Sequence, residues 1–269
     1  MLTINQLFIY PVKSLSGISV STSEVTNRGL KYDRRWMIVD RNNQFLTLRE
    51  YPKMSLLDVE INENGLTIKS RVYPEIPIKI PFVTDTNNLE NVTIWNATVQ
   101  AKPVKNEVDK WLSDMLGGEC KLVYMLDESM RPVDTTSGYH PEGKFTSFAD
   151  AYPFLLLGEA SMNDLNTRSE KQFSIKRFRP NIVFTGGSPY QEDDIENFMI
   201  NNINFTGLEN CARCKIPNIN PENGILGADN EPLKTLSKYR LRNKNIEFGR
   251  NVVHAGTGVV RVGDELKLI

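Results

Sequence analysis

Short segments of alternating apolar and polar residues, separated by turn residues, fill the first hundred or so residues of this 269-residue chain. Patterns typical of β-strands cover residues 3–10, 18–25, 33–40, 45–49, 56–61, 66–70 and 92–104. Polar turn residues separate 33–40 from 45–49 and 56–61 from 66–70, which is typical of hairpins. Strands this short and this closely spaced predict a β-barrel or a β-sandwich.

The pattern changes near residue 105. A stripe of apolar residues with helical spacing predicts an amphipathic helix that ends at Gly117, and it comprises Val108, Trp111, Leu112, Met115 and Leu116. Further strands are predicted at 120–125, 154–157, 181–184 and 258–268, a second helix at 160–168, and a long loop at 126–150. The fold class predicted from these patterns is mainly β with some α (α+β).

Composition excludes several classes of function. Hydrophobic residues make up 40% of the chain and charged residues 24%, and the formal net charge is -1. These values are ordinary for a soluble globular protein, and no overall positive field draws the chain to nucleic acid or to a lipid surface. The N-terminal residues lack a secretory pattern, and the apolar runs are too short to span a membrane. We therefore expect a cytoplasmic protein with no nucleic-acid or membrane partner.

Two of the three cysteines, Cys211 and Cys214, form a Cys-x-x-Cys motif with Arg213 between them. A structural zinc site needs four ligands, and Cys120 and the two histidines do not supply a second pair. A thioredoxin-type redox pair opens a helix, which Pro217 disfavours. A thiolate that binds a soft metal carried by a cofactor is the third interpretation, and two buried cysteines without chemistry are the fourth. The residues alone leave these alternatives open.

Several cations stand where they can bind an anion. Lys176, Arg177 and Arg179 precede the strand at 181–184, and such a run is often only a solvated surface. Arg179 lies between Phe178 and Pro180, so its guanidinium is expected near the core, where it needs a carboxylate or a phosphate. The residues after the first strand, Lys13 and Ser14, offer an ammonium, a hydroxyl and backbone N–H groups to a phosphate.

Taken together, these motifs resemble those of a known family. Three of them resemble the N-terminal β-barrel domain of MOSC-type molybdenum-cofactor proteins: Tyr10-Pro11-Val12-Lys13-Ser14, Asp33-Arg34-Arg35-Trp36 and Thr47-Leu48-Arg49. The MOSC domain itself is matched by Glu159-Ala160-Ser161, Asp164-Leu165-Asn166, Phe178-Arg179-Pro180-Asn181-Ile182-Val183 and Cys211-Ala212-Arg213-Cys214. The chain is similar in particular to the family of the mitochondrial amidoxime-reducing component and its bacterial relatives. The resemblance implies an N-terminal MOSC β-barrel-like domain, 1–104, packed on a MOSC β-barrel domain, 105–269, with one shared cofactor site.

The resemblance also implies roles for individual residues. Cys214 matches the thiolate that ligates molybdenum, and Asp150 matches an aspartate beside the metal, so both are predicted to be catalytic. The positions that hold the molybdopterin cofactor and its phosphate are matched by Lys13, Ser14, Arg34, Arg179 and Asn181. For Cys211, the resemblance implies only a structural role. Ala151 departs from the pattern, because the mitochondrial relatives have a hydroxyl residue there.

The activity implied by the resemblance is a molybdenum-cofactor-dependent reductase that converts N-hydroxylated small molecules to amines or amidines. We expect the chain to lack the ferredoxin-like C-terminal domain of some bacterial relatives. The electrons are therefore expected from a separate donor protein of the ferredoxin, flavoprotein or cytochrome type. Pyridoxal phosphate binding is a further property implied for the family. The alternatives are a cofactor-binding or sulfur-carrier protein without turnover and a metal-free enzyme with Cys214 as nucleophile.

Overall fold

The computed structural model of the protein describes residues 1–82, 88–135 and 141–269. The strands up to residue 103 are β1 (Leu2–Ile9), β2 (Ile18–Val20), β3 (Thr22–Thr26), β4 (Gly29–Leu30), β5 (Trp36–Asp40), β6 (Leu57–Asn62), β7 (Gly65–Ser70), β8 (Ile78–Pro81), β9 (Glu90–Ile94) and β10 (Ala97–Pro103). The later strands are β11 (Cys120–Met125), β12 (Arg131–Pro132), β13 (Phe145–Thr146), β14 (Phe154–Gly158), β15 (Ile182–Thr185), β16 (Asn197–Ile200), β17 (Ile203–Ala212), β18 (Leu241–Arg242), β19 (Asn245–Ala255), β20 (Gly258–Arg261) and β21 (Glu265–Leu268). The α-helices are α1 (Asn106–Leu116), α2 (Glu159–Arg168) and α3 (Leu233–Ser237).

Seven strands close into a barrel in the order β14-β15-β1-β21-β16-β17-β19, and β19 pairs again with β14. The parallel neighbours β14 and β15 are joined by α2, as expected for a crossover connection. Aromatic and branched side chains that are almost fully buried fill the interior, among them Phe154, Phe198, Phe205 and Val252. The barrel contains β1, so the N-terminal strand is part of the same core as the C-terminal strands.

A second part of the molecule combines a four-stranded sheet, β5-β11-β10-β9, with a three-stranded sheet, β6-β7-β8. The helix α1 buries Val108, Leu112 and Leu116 against this core, and the left-handed conformation of Gly117 (φ 78°) ends it. Strands from both sides of residue 105 share sheets here, since β11 pairs with β5 and β10. The domain boundary at 104/105 stays a prediction.

The predicted fold class is confirmed, as are α1 and the hairpin of β6 and β7. Two strand predictions were wrong in part: residues 33–34 and 48–50 form turns, and both turns carry arginines of the site. The strands β16, β17 and β19 were not predicted. Of the predicted loop at 126–150, residues 136–140 lie outside the described residues, and the rest includes the short pair β12 and β13. Within the described ranges, no helix is long and apolar enough to cross a membrane.

Candidate active site

One cavity of about 480 Å³ lies between the barrel and the turns that follow β1, β4 and β5. Every residue that the sequence predicted for the site lines it: Lys13, Ser14, Arg34, Asp150, Arg179, Asn181 and Cys214. These residues come from distant parts of the chain, and the closed barrel brings them to one place. A cavity of this size is in the ordinary range for a small-molecule or cofactor site.

The turn after β1 positions Lys13. Its backbone N–H donates to the Trp36 oxygen at 2.8 Å, and the next residue, Ser14, has the left-handed conformation (φ 71°). The ammonium of Lys13 donates to the backbone oxygen of Phe148 at 3.0 Å and to Oδ1 of Asp150 at 2.5 Å. Burial lowers the pKa of Lys13 to about 8, although the Asp150 charge opposes that shift. Lys13 is therefore still charged at neutral pH but loses its proton in mild base.

Arg34 and Arg179 meet on the ring of Tyr10, and each guanidinium carbon lies 4.2 Å from the ring centroid. Both arginines have left-handed backbone conformations, with φ 48° for Arg34 and φ 57° for Arg179. Burial, together with the neighbouring Arg34 charge, lowers the pKa of Arg179 to about 10. Burial raises the pKa of Tyr10 to about 12, so its ring stays neutral and attracts both cations. Two adjacent guanidinium groups of this kind are suited to a phosphate.

Asn181 is buried, and its side chain is bonded to the protein. Its Oδ1 accepts from Nη1 of Arg34 at 3.0 Å and from the backbone N–H of Leu155 at 3.2 Å, while its Nδ2 donates to the Phe8 oxygen at 3.2 Å. These bonds tie β1, β14 and β15 together and orient Arg34. A direct contact between Asn181 and a cofactor stays a prediction.

The two cysteines of the Cys-x-x-Cys motif line the cavity as free, partly exposed thiols. Cys211 lies near the end of β17 and Cys214 in the loop that follows, ahead of a single 3₁₀ turn at Ile216–Asn218. The motif therefore does not open an α-helix as a thioredoxin-type pair does. Burial raises the pKa of the Cys211 thiol. Among the described side chains, no group of three or more His, Cys, Asp or Glu can hold a metal ion, so a metal at Cys214 needs ligands from a cofactor.

Asp150 faces the cavity with its side chain 52% exposed. Its Oδ2 accepts from Arg49 at 3.3 Å, and its Oδ1 accepts from Lys13. Burial in the cleft acts against ionisation, but the charges of Lys13 and Arg49 outweigh it and hold the pKa of Asp150 well below its usual range. The carboxylate is therefore ionised at neutral pH and a weak base, which suits it to positioning cations more than to accepting protons.

Sequence reasoning missed three arginines of the site. Arg49 was part of a recognised motif but had no assigned role. Its guanidinium donates to Asp150 and interacts electrostatically with Cys214. Arg213, inside the Cys-x-x-Cys motif, donates to the Phe248 oxygen at 2.7 Å and to the Phe178 oxygen at 2.9 Å. Arg131 donates to the backbone oxygens of Ser147, Ala149 and Asp150. The sequence signal for these roles was weak, because an isolated arginine is usually on the surface.

The donor set fits a ligand with a phosphate and a soft metal. The side chains that line the cavity include the cations Lys13, Arg34, Arg49, Arg177, Arg179 and Arg213 against the carboxylates Asp150, Glu209 and Glu247. Nη2 of Arg213 is buried and has no hydrogen-bond partner among the described residues. A buried donor without a partner is costly, so this atom favours an anionic ligand. The Cys214 thiol lies at the same cavity and can bind a soft metal.

Comparison with known proteins supports the MOSC family, which the sequence motifs resemble, across most of the chain. Residues 1–119 match the MOSC N-terminal beta barrel domain, and residues 144–267 match the MOSC domain. Mitochondrial amidoxime-reducing component 1 of Mus musculus is 32% identical over 99% of this chain and 82% of its own length. The Homo sapiens protein of the same name is 30% identical over 99% of this chain and 83% of its length. Molybdenum cofactor sulfurase of Solanum lycopersicum is 30% identical over 98% of this chain but only 35% of its own length.

Proposed function

Because the chain belongs to the MOSC-domain family that includes the mitochondrial amidoxime-reducing components, we propose that it is a molybdenum-cofactor-dependent reductase of N-hydroxylated compounds. Its relatives support a function related to the molybdenum cofactor. The observation that carries the finer proposal is the position of the Cys214 thiol in a cavity where cations outnumber carboxylates. Substrates of the proposed reaction are small N-hydroxylated molecules, and the products are amines or amidines.

The proposal assigns the parts of the cofactor to separate residues. Cys214 would ligate the metal, and the arginine pair (Arg34 and Arg179), with Lys13 and Ser14, would hold the phosphate of molybdopterin. When bound, the molybdenum cofactor supplies two-electron redox chemistry next to the thiolate. Such a cofactor explains why cations gather locally in a chain with a net charge of -1.

The protein itself supplies orientation and protons. Reduction of an N–OH group to N–H and water consumes two electrons and two protons. The pKa of Lys13 is lowered to about 8, chiefly by burial, so its Nζ can hold a proton at neutral pH and release it into the cavity. Asp150, ionised by its two cationic neighbours, holds the Lys13 ammonium and the Arg49 guanidinium in place at the cavity.

The electrons of the proposed reaction come from a separate donor protein of the ferredoxin, flavoprotein or cytochrome type. The three cysteines, all in the described part of the chain, are free thiols, too few for the usual four ligands of an iron–sulfur cluster. A cytoplasmic location and pyridoxal phosphate binding stay predictions.

The likeness to molybdenum cofactor sulfurase over 98% of this chain favours a second candidate, a cofactor-binding or sulfur-carrier protein without turnover. One experiment separates the two. Protein from a host that synthesises the cofactor is analysed for molybdenum and pterin and then assayed with an amidoxime and a chemical electron donor. Cofactor with turnover supports the reductase, cofactor without turnover supports the carrier, and protein without molybdenum or pterin contradicts both.

A further inference from the structure

Trp95 occupies an unusual position at the tip of the β9–β10 hairpin. Ile94 pairs with Ala97, so Trp95 and Asn96 form the turn, and the backbone of Trp95 is left-handed with φ 53°. A bulky residue in this conformation costs about 1–2 kcal/mol, and such turn positions usually carry Gly or Asn. Trp95 is 43% exposed, so part of the indole surface stays open to a ligand.

The strained turn places the indole against the segment that follows β5. The ring centroids of Trp95 and Phe45 are 4.8 Å apart with the planes tilted by 56°, and Cζ of Arg49 lies 4.8 Å from the Trp95 ring. We call Phe45 and Trp95 the aromatic shelf. The shelf lines an open groove of about 680 Å³, together with Leu46, Thr47 and other residues of the 40–51 segment.

Arg49 connects the aromatic shelf to the active-site cavity, because it lines both the groove and the cavity. One side of its guanidinium faces the Trp95 ring, and the group also donates to Asp150 and interacts electrostatically with Cys214. On the same side, Nζ of Lys13 lies 5.5 Å from the Phe45 centroid. The Arg49 guanidinium therefore adjoins both the exposed aromatic shelf and the cavity that contains the thiol proposed to bind the metal.

We propose that the aromatic shelf binds a flat aromatic substituent of the substrate, so that Trp95 and Phe45 select aryl over small alkyl N-hydroxylated compounds. This inference rests on the proposed function and names its substrate class. Aromatic rings gain about 0.5–1.5 kcal/mol from offset or edge-to-face pairing beyond the area that they bury. A ring seated on the shelf places the group attached to it beside Arg49, whose N–H groups can bond the oxygen of an N–OH function.

A docking site for the electron donor is a weaker interpretation of the same surface. A protein interface usually buries about 800 Å² on each partner, whereas one aromatic side chain buries about 150–250 Å². The aromatic shelf consists of only two side chains, Phe45 and Trp95. Its continuity with the cavity through Arg49 also favours a ligand that reaches from one to the other.

The kinetic test compares Trp95→Gly, Trp95→Phe and the control Tyr73→Ala with the wild type. Glycine suits the left-handed turn, so Trp95→Gly removes the ring without adding backbone strain, and Tyr73 is a comparably exposed ring (50%) on the β7–β8 connection. With benzamidoxime, Trp95→Gly should raise KM about tenfold with little change in kcat, and Trp95→Phe should raise it less. With acetamidoxime, KM should not change. Equal effects on both substrates, or an altered dependence on donor concentration at constant KM, would overturn the proposal.

A binding test needs no turnover and no cofactor. The three tryptophans are all in the described part of the chain, and of these Trp95 lines the groove while Trp36 and Trp111 do not. Benzamidine should change the fluorescence of the wild type and of Tyr73→Ala but not that of Trp95→Phe. If Trp95→Phe gives the same fluorescence titration with benzamidine as the wild type, the proposed aryl site is wrong. Wild-type protein that binds benzamidine but reduces neither amidoxime refutes the proposed function and leaves the aryl site supported.

Discussion

Arg34 donates a hydrogen bond from Nη2 to the backbone oxygen of Arg179 at 3.3 Å, which joins two cations that are 145 residues apart in the chain. Both guanidinium groups lie 4.2 Å from the Tyr10 ring, and Arg34 is further held by Asp33 at 2.6 Å. Adjacent cations repel each other, so this arrangement has to be stabilised by the fold, and it is the part of the cavity best suited to a phosphate.

We expect Arg179→Ala to lower the affinity for molybdopterin by about 10- to 100-fold, because one charge-assisted hydrogen bond contributes about 1.5–3 kcal/mol. The pterin content of the purified variant, relative to the wild type from the same host, measures this loss. Arg71→Ala is the matched control, since Arg71 is an exposed arginine paired with Asp58. Full pterin occupancy in Arg179→Ala would contradict the assigned role.

Cys211 and Cys214 should differ in their effect on metal binding, although only two residues separate them. We expect Cys214→Ser to lose most of the bound molybdenum and all reductase activity, because a serine hydroxyl is a poor ligand for a soft metal. Cys211→Ser should keep at least half of the molybdenum, measured by plasma mass spectrometry. The reverse pattern would assign the metal to Cys211.

The lowered pKa of Lys13, about 8 because of burial, predicts that anion binding depends on pH. Below that pH the ammonium is charged and favours an anion, and as the pH rises through about 8 it becomes neutral. In a Cys211→Ser/Cys214→Ser background, which removes both thiols from the cavity, sulfate affinity should fall about tenfold between pH 7 and pH 9.5. In Lys13→Arg the guanidinium stays charged over this pH range, so the sulfate affinity measured by the same calorimetric titration should hardly change with pH. If the sulfate affinity falls equally with pH in the protein with Lys13 and in the Lys13→Arg variant, Lys13 is not the titrating group.

Asp33 and Arg34 form a pair that is mostly shielded from solvent, with side chains 3% and 12% exposed. Asp33 also accepts from the Tyr10 backbone N–H at 2.8 Å. Asp33→Ala should lower the free energy of unfolding by about 3 kcal/mol, since it leaves a buried cation and a buried N–H without partners. Urea denaturation measures the change. Asp58→Ala, which breaks an exposed pair with Arg71, should cost no more than about 1 kcal/mol.

Local patterns in the sequence predicted the elements whose stabilising contacts are close in the chain. The helix α1 shows its apolar stripe and its terminal Gly117 within a dozen residues, and β6 and β7 are joined by a short polar turn. The strand β17 was missed because it pairs with β19, about forty residues later, with irregular register near Gly207 and Asn210. Such irregular pairing disturbs the simple alternation on which strand prediction depends.

The predicted strand at 45–49 shows how tertiary contacts override a local pattern. Phe45 still bridges to Val39, but Thr47 then forms a turn in which its Oγ1 accepts from the backbone N–H of Arg49 at 2.9 Å. The turn directs Arg49 to Asp150 and Cys214 instead of along a strand. An apolar alternation over five residues carries no information about that distant partner.

The sequence by itself determined the family and the mainly β fold class, because motif identity and order depend only on the chain. It also predicted seven residues that line the cavity. Tertiary structure alone decided how those residues act together. Closure of the barrel sets Lys13 against Asp150 and Arg34 against Arg179, and it places Arg49 against both the Trp95 indole and Asp150. Burial and neighbouring charge then set the pKa of Lys13 and of Asp150, and both depend on distances in space that residue order does not specify.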